Sequence, residues 1–330
     1  MATLPDDLQS ALDGALRRFP HQDLSRSVDR LISRYREGRA AAGEVILHSE
    51  VDVAAYAGYR MPATFAAVRA VFAEVAAVVP EFTPRTMVDV GGGTGAALWA
   101  AQDTWPSLVD LTVVEQAPHA VALGKRLVAE AEEPALRGAT WRHGVVDPGA
   151  PAPRADLVTL SYVLGELPEH TRADAVRWLA READTVVLIE PGTPAGYERV
   201  VAARDLLVEL GLSLVAPCPH ERECPIPRGR DWCHFTARLP RVGAHRLIKE
   251  GTLNFEDEKF SYVVASRTWS RRSANRVLRH PLKRKGMVVL RLCTGEDGLE
   301  DTTVSKRHGD LYRAARDAKW GDEWPPADRD

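Results

Sequence analysis

Cys218, Cys224, Cys233 and Cys293 are the only cysteines in 330 residues. Three of them sit in Cys218-Pro219-His220, Cys224-Pro225 and Trp232-Cys233-His234-Phe235, and Cys293 ends the apolar run from Met287. Four thiols confined to one stretch and flanked by Pro and His point to a single metal or iron–sulfur site. Structural zinc usually recruits Cys-x2-Cys pairs, because one small ion draws its ligands close together. Here the spacing is Cys-x5-Cys-x8-Cys and then a long gap, which suits a bulkier cluster whose corners each take one thiolate. On spacing alone zinc stays open, as do a cysteine nucleophile and a set of unrelated buried thiols. A disulfide is disfavoured in a reducing compartment. His220, His234 and His245 lie near the cysteines and read as hydrogen-bonded structural histidines.

A second motif lies upstream. Asp89-Val90-Gly91-Gly92-Gly93-Thr94-Gly95 follows a short apolar run and precedes a helical pattern. The glycines let the backbone turn tightly and approach a ligand, and the helix start offers unpaired N–H groups. Glu115 ends the next strand, 20 residues after Gly95, where an acid can accept both ribose hydroxyls. Gly91-x-Gly93-x-x-Ala96 also satisfies the dinucleotide fingerprint, so a nicotinamide enzyme is the competing reading. The acid before the first glycine, and Gly95, resemble instead the first motif of class I S-adenosylmethionine-dependent methyltransferases. That resemblance implies that Asp89, Gly91, Gly93 and Gly95 surround the amino acid part of the cofactor. It also implies that Asp147 meets the adenine and that Ser161, with Tyr162, lines the floor.

The elements that must position these residues read as α/β. Residues 5–80 look helical, with apolar positions at Leu24, Val28, Leu31 and Ile32, and a further helix expected to start at Pro62. Strands are expected at 86–90, 111–115, 140–143, 156–160, 185–190, 212–216 and 260–266, with helices after Gly95 and over about 117–132 and 195–210. Such alternation means a mostly parallel sheet covered on both faces. The expected architecture is a class I methyltransferase (Rossmann-like) sheet with an N-terminal helical cap and a C-terminal Cys-rich and basic extension. The divisions are 1–80 for the cap, 81–216 with 259–267 for the core, 217–258 for the Cys-rich insertion and 268–330 for the extension. After Arg267 a basic helix or loop is expected, then a strand at 286–293.

The formal net charge of -3 hides an uneven distribution. Arg267 to Arg316 carries thirteen Lys and Arg against five Asp and Glu, a block that can steer towards phosphate backbones or simply be a solvated face. No apolar run reads as long enough to cross a bilayer. Met1-Ala-Thr-Leu-Pro-Asp-Asp7 has no signal-peptide core and is not acid-poor like a transit peptide, so a cytoplasmic protein is expected.

Ala57-Gly-Tyr-Arg-Met-Pro-Ala-Thr64, the glycine loop, Glu190-Pro-Gly-Thr-Pro194, the cysteine series, Val304-Ser-Lys-Arg-His308 and Ala318-Lys-Trp-Gly-Asp322 extend the resemblance over most of the chain. Together they resemble the methyltransferase-like (Rsm-type) proteins associated with the mitochondrial small ribosomal subunit, and their bacterial relatives. The cysteine series is the most specific part. The resemblance implies that Cys218, Cys224, Cys233 and Cys293 ligate a [4Fe–4S] cluster, with zinc as the alternative, beside bound S-adenosylmethionine. It also implies action on the small ribosomal subunit. The leading expectation is an rRNA methyltransferase, a monomer off the ribosome, with Lys283, Arg284, Lys285, Lys306 and Arg307 on RNA phosphates. The alternative is a non-catalytic assembly factor that binds rRNA with the same fold. A small-molecule methyltransferase leaves the basic block unexplained. Methyl transfer needs an oriented acceptor and an outlet for its proton. After the fourth strand the chain has Ser161-Tyr-Val-Leu-Gly-Glu166 rather than the Asn/Asp-Pro-Pro-aromatic motif of amino-group enzymes. No base is nominated; Tyr162, Glu166 and Glu190 are the places to look.

Overall fold

The computed structural model describes residues 3–36, 47–240, 255–272 and 274–326. His245, with residues 241–254 of the Cys-rich insertion, falls outside them. Three helices come first: α1 (Asp6–Leu16), α2 (His21–Arg36) and α3 (Glu50–Val78). The Ser49 hydroxyl accepts the Asp52 N–H at 3.2 Å and caps α3. The helix then runs through Pro62, so the expected start at that residue is corrected. Proline removes one helix hydrogen bond, but Met61, Phe65, Val68, Val71, Phe72 and Val75 are all buried and hold the segment against the core. By length and composition α3 is also apolar enough to cross a bilayer, contrary to the sequence expectation. Its apolar side chains are instead spent in the main core.

The main sheet contains β1 (Thr86–Val90), β2 (Asp110–Glu115), β3 (Thr140–His143), β4 (Ala155–Ser161), β5 (Ala183–Pro191), β6 (Ser213–Ala216), β7 (Phe235–Pro240) and β8 (Phe255–Ser266). Their order is β3-β2-β1-β4-β5-β8-β6, with β7 paired to β8. The strands through β5 are parallel, and β8 runs antiparallel between β5 and β6. This is the class I methyltransferase sheet: a doubly wound order with a reversed strand near one edge. Helices α4 (Ala96–Thr104), α5 (Pro118–Ala129), α6 (Pro134–Arg137), α7 (Glu169–Ala180) and α8 (Pro194–Glu209) connect the strands. The insertion is less irregular than expected, since it supplies β7 and the first residues of β8.

The C-terminal extension is a second sheet rather than a basic helix or loop. It contains β9 (Asn275–Val277), β10 (Leu282–Arg284), β11 (Met287–Thr294), β12 (Gly298–Ser305) and β13 (Glu323–Trp324), with α9 (Asp310–Asp317) against it. Alternation explains it: Val288, Leu290 and Leu292 face inward with Val277, Val304, Ala315 and Trp324 in a core of their own. Arg276 on β9, 2% exposed, joins the two bodies. It donates to the Gly321 carbonyl at 2.6 Å and the Pro217 carbonyl at 3.4 Å, and pairs with Glu74 on α3.

Candidate functional site

The sheet reverses its winding between β1 and β4, and such a switch point opens a crevice at the strand carboxyl ends. The glycine loop lies there. Gly91, Gly93 and Gly95 have φ of 68°, 57° and 90°, a region L side chains avoid. A Cβ on Gly91 would also lie 2.5 Å from Val163, and one on Gly92 2.4 Å from the Asp89 carboxylate; one on Gly93 meets nothing within 4 Å. The loop is thus packed behind and open at Gly93. Glu115 holds it: one oxygen accepts the Gly93 N–H at 2.9 Å, the other the Ala117 N–H at 2.8 Å. Asp89 is 1% exposed and accepts from the Thr159 hydroxyl at 2.6 Å. Burial pushes its carboxyl up to about 7, with the Thr159 bond opposing and Glu115 adding.

Ser161 closes β4, and its hydroxyl oxygen is buried with no partner among the described residues. Such an orphan at a strand carboxyl end marks a place where a ligand atom fits. Asp147 differs: it is exposed, and its carboxylate accepts the Gly149 N–H at 2.9 Å, closing its own turn.

Two of the residues considered for proton handling, Tyr162 and Glu190, have partners within the fold. Tyr162 has φ 63°, unusual for an aromatic residue and characteristic of functional sites. Its hydroxyl donates to Glu258 on β8 at 3.0 Å. Glu258 takes both guanidinium nitrogens of Arg60 on α3, at 2.8 and 3.1 Å, and that guanidinium lies 5.5 Å from the Tyr162 ring centre. Burial, reinforced by Glu258, holds the Tyr162 phenol well above its usual range. Glu190 is 1% exposed and pairs with Arg199 of α8 at 2.5 Å; burial raises its carboxyl despite that partner. Glu166 is half-buried.

At the other end of the same carboxyl rim, Cys218, Cys224, Cys233 and Cys293 line one cavity of about 40 Å³, with Tyr197, Arg204, Tyr262 and Arg276 in its wall. Cys218 follows β6, Cys233 precedes β7, and Cys293 arrives on β11 of the second sheet. The path of Cys293, unexplained by sequence, is therefore a sheet docking onto the cysteine loop; Arg222 ties that loop to the Gly295 carbonyl at 2.7 Å. Burial raises the Cys218, Cys233 and Cys293 thiols, Cys293 to about 12, and neighbouring thiols add to each. A cation or cationic cluster core would stabilise the thiolate forms that burial disfavours, so the donor set fits one chemically. Among the described residues, no three of His, Cys, Asp and Glu are gathered closely enough to hold one metal ion. His220 lies beside the set, its Nε2 3.8 Å from Cys293 Sγ. The cysteines and the glycine loop share a rim but do not adjoin: four strand steps, roughly 19 Å, separate β1 from β6.

Lys283, Arg284, Lys285, Lys306 and Arg307 are all exposed, and none makes an ion pair among the described residues. The Lys306 N–H donates to the Gly286 carbonyl at 3.1 Å, which brings the β10–β11 turn beside the Lys306–His308 turn. Five cations from two segments thus gather at one end of the second sheet, beside the start of β11. Sequence reasoning missed Arg60, Glu258, Tyr197, Arg204 and Arg276. Arg60 and Glu258 are 198 residues apart, and no local pattern links them.

A family model described as mitochondrial small ribosomal subunit Rsm22 matches residues 50–325. The human ribosome assembly protein METTL17, mitochondrial, is 32% identical over 82% of this chain and 62% of its own length. A fission yeast Rsm22-cox11 tandem protein, mitochondrial, is 23% identical over 84% of this chain and 43% of its own. The chain thus spans about two-fifths to three-fifths of these relatives. Solved structures with some likeness include magnesium protoporphyrin IX methyltransferase from Synechocystis with bound SAM. It has a TM-score of 0.41 and 15% identity, over 81% of this chain and 100% of that one. N-methyltransferase NodS from Bradyrhizobium japonicum has a TM-score of 0.39 and 14% identity, over 60% and 94%. The fold class rests on the strand order and not on these two. The cytoplasmic placement expected from the N-terminus is overturned, because the matched family and these relatives are mitochondrial.

Proposed function

The chain belongs to the Rsm22 family, and from that premise we propose that it is a small-subunit assembly factor that binds rRNA without methylating it. In this reading the protein keeps a methyltransferase fold, an S-adenosylmethionine pocket and a four-cysteine [4Fe–4S] centre as parts of a rigid RNA-docking body. The observation that carries it is the Arg60–Glu258–Tyr162 cluster. An acceptor must approach the methyl group between the glycine loop and the end of β4, and the side chains there are bound to one another. Tyr162 donates to Glu258, and one oxygen of Glu190 pairs with Arg199.

S-Adenosylmethionine, when bound, supplies an electrophilic methyl group. Gly93 and Gly95 would let it approach the backbone, Glu115 would take its ribose, Ser161 its floor, and Asp89 would stand behind the loop. The unpartnered Ser161 hydroxyl and the open side of Gly93 support this assignment. For the cysteines, four thiols around one cavity and their wide sequence spacing favour a cluster over zinc. Lys283, Arg284, Lys285, Lys306 and Arg307 would neutralise phosphates.

The second reading, an rRNA methyltransferase, draws on the same intact glycine loop and Glu115. One experiment separates the two. Holoprotein is mixed with small-subunit RNA and labelled S-adenosylmethionine, and retention and methyl incorporation are measured together. The assembly reading expects salt-dependent retention, weakened when Lys283, Arg284 and Lys285 become Glu, with no incorporation. Methyl transfer that disappears in Asp89→Ala would establish the enzyme instead.

A further inference from the structure

Helix α8 carries two polar side chains, Tyr197 and Arg204, into the wall of the cysteine cavity. Tyr197 and Arg204 are seven residues apart, about two helical turns, and so share one face. Both are 2% exposed. The Tyr197 hydroxyl lies 3.3 Å from Cys224 Sγ. Arg204 is fixed by its terminal nitrogens, which donate to the carbonyls of His220 at 2.9 Å and Arg222 at 2.6 Å and to Asp205 at 2.6 Å. That leaves its Nε–H buried with no acceptor among the described residues. Arg204 and Cys218 line the same cavity wall.

We propose that Tyr197 and Arg204 are the positioning residues of the cysteine centre: each donates a hydrogen bond to it, and together they set its reduction potential. The assignment rests on the cluster reading given above. A metal-bound Cys224 is a thiolate with no proton, so Tyr197 must be the donor and sulfur the acceptor. The stranded Nε–H of Arg204 supplies the second donor, towards Cys218 or a sulfide beside it. Hydrogen bonds to cluster sulfurs and nearby positive charge stabilise the more negative, reduced state, and so raise the potential. Because α8 begins at Pro194, immediately after the end of β5, the donors stand on a rigid element of the main sheet. The thiols they address, Cys224 and Cys218, stand on the loop between β6 and β7.

The test uses full-length holoprotein purified without oxygen. Iron and acid-labile sulfide are measured first, then the midpoint potential by titration and the iron–cysteine stretching bands by resonance Raman. Tyr197→Phe keeps the ring and removes only the hydroxyl. It is expected to retain wild-type iron and sulfide, to titrate at a lower potential and to shift a stretching band to higher frequency. Arg204→Lys keeps the charge but loses the Nε–H, and should lower the potential as well. A cluster retained in both variants with potential and bands unchanged overturns this assignment and leaves the cluster reading standing. Wild-type protein without iron or sulfide overturns both.

Discussion

At the β1–β4 crevice, the glycine loop and the acids and hydroxyls that hold it come from one contiguous stretch of the chain, between Asp89 and Ser161. Its polar atoms are mostly satisfied within the fold: Glu115 by two backbone N–H groups and Asp89 by Thr159. At the far end of the same rim, three thiols come from loops of the main body and the fourth from a strand of a second sheet, 75 residues on from the first. There the polar atoms are left wanting, with the Arg204 Nε and the His220 Nδ1 both buried and unpartnered among the described residues. The glycine end is preorganised without a ligand; the cysteine end is a junction of buried thiols and donors whose polar atoms the fold itself does not satisfy.

The sharpest way to break that contrast is to remove whatever the cysteines bind. Structural metal supplies folding free energy outright, on the order of 10 kcal/mol in domains with little other core. Here both bodies have hydrophobic cores, so a smaller share, roughly 5 kcal/mol, is expected, and with it a fall in Tm of roughly 10–20 °C. Hydrogen exchange on chelated protein or on Cys293→Ala should show β9–β13 losing protection while β1–β5 keep theirs. Equal loss at both ends would mean that the junction is not local and that the contrast drawn here is mistaken.

Much of this was legible beforehand because it depended on local pattern. Strand and helix alternation, the glycine loop and Glu115 at the next strand end are all short-range signals, and the strands and the loop lie where their spacing implied. The four cysteines line one cavity, but the sheet that brings Cys293 there has no local signal. Pro62 misled because proline is a good first-turn residue, and tertiary burial of α3 overrode the local rule. The second sheet was hidden by its short strands and by charges that read as a solvated block. Arg60–Glu258, Arg276–Glu74 and Tyr197–Cys224 join residues distant in sequence, and no periodicity encodes them.

The next effect belongs to the glycine end, where the contrast predicts a satisfied but buried acid. Asp89 keeps its proton in the folded chain up to about pH 7, whereas an unfolded aspartate loses it near pH 4. Between those values the folded state binds more protons than the unfolded one, so stability falls as pH rises and levels off above about 7. The full span corresponds to roughly 4 kcal/mol as an upper figure. Asp89→Asn can still accept the Thr159 hydroxyl and does not titrate, so denaturant unfolding should show a flatter pH profile and greater stability than wild type at pH 8. Parallel profiles for the two proteins would mean that Asp89 is ionised in the fold.

The smallest effect probes the element shared by both ends. Thr193 caps α8, its hydroxyl accepting the Gly196 N–H at 3.1 Å, and α8 sends Arg199 to Glu190 on one side and Tyr197 and Arg204 to the cysteines on the other. Thr193→Ala should cost about 1 kcal/mol, the usual worth of such a cap, or about 2–4 °C in Tm. If the two ends are as unlike as their bonding suggests, the loss is unevenly felt. The glycine loop, Glu115 and Ser161 stand at the ends of β1, β2 and β4, which α8 does not cap, so cofactor affinity measured by calorimetry should hardly move. The cysteine end depends on loops that α8 anchors through Arg204, so the rate of metal loss to a chelator should rise. A variant that loses cofactor affinity and retains metal at the wild-type rate would reverse the assignment of which end is preformed.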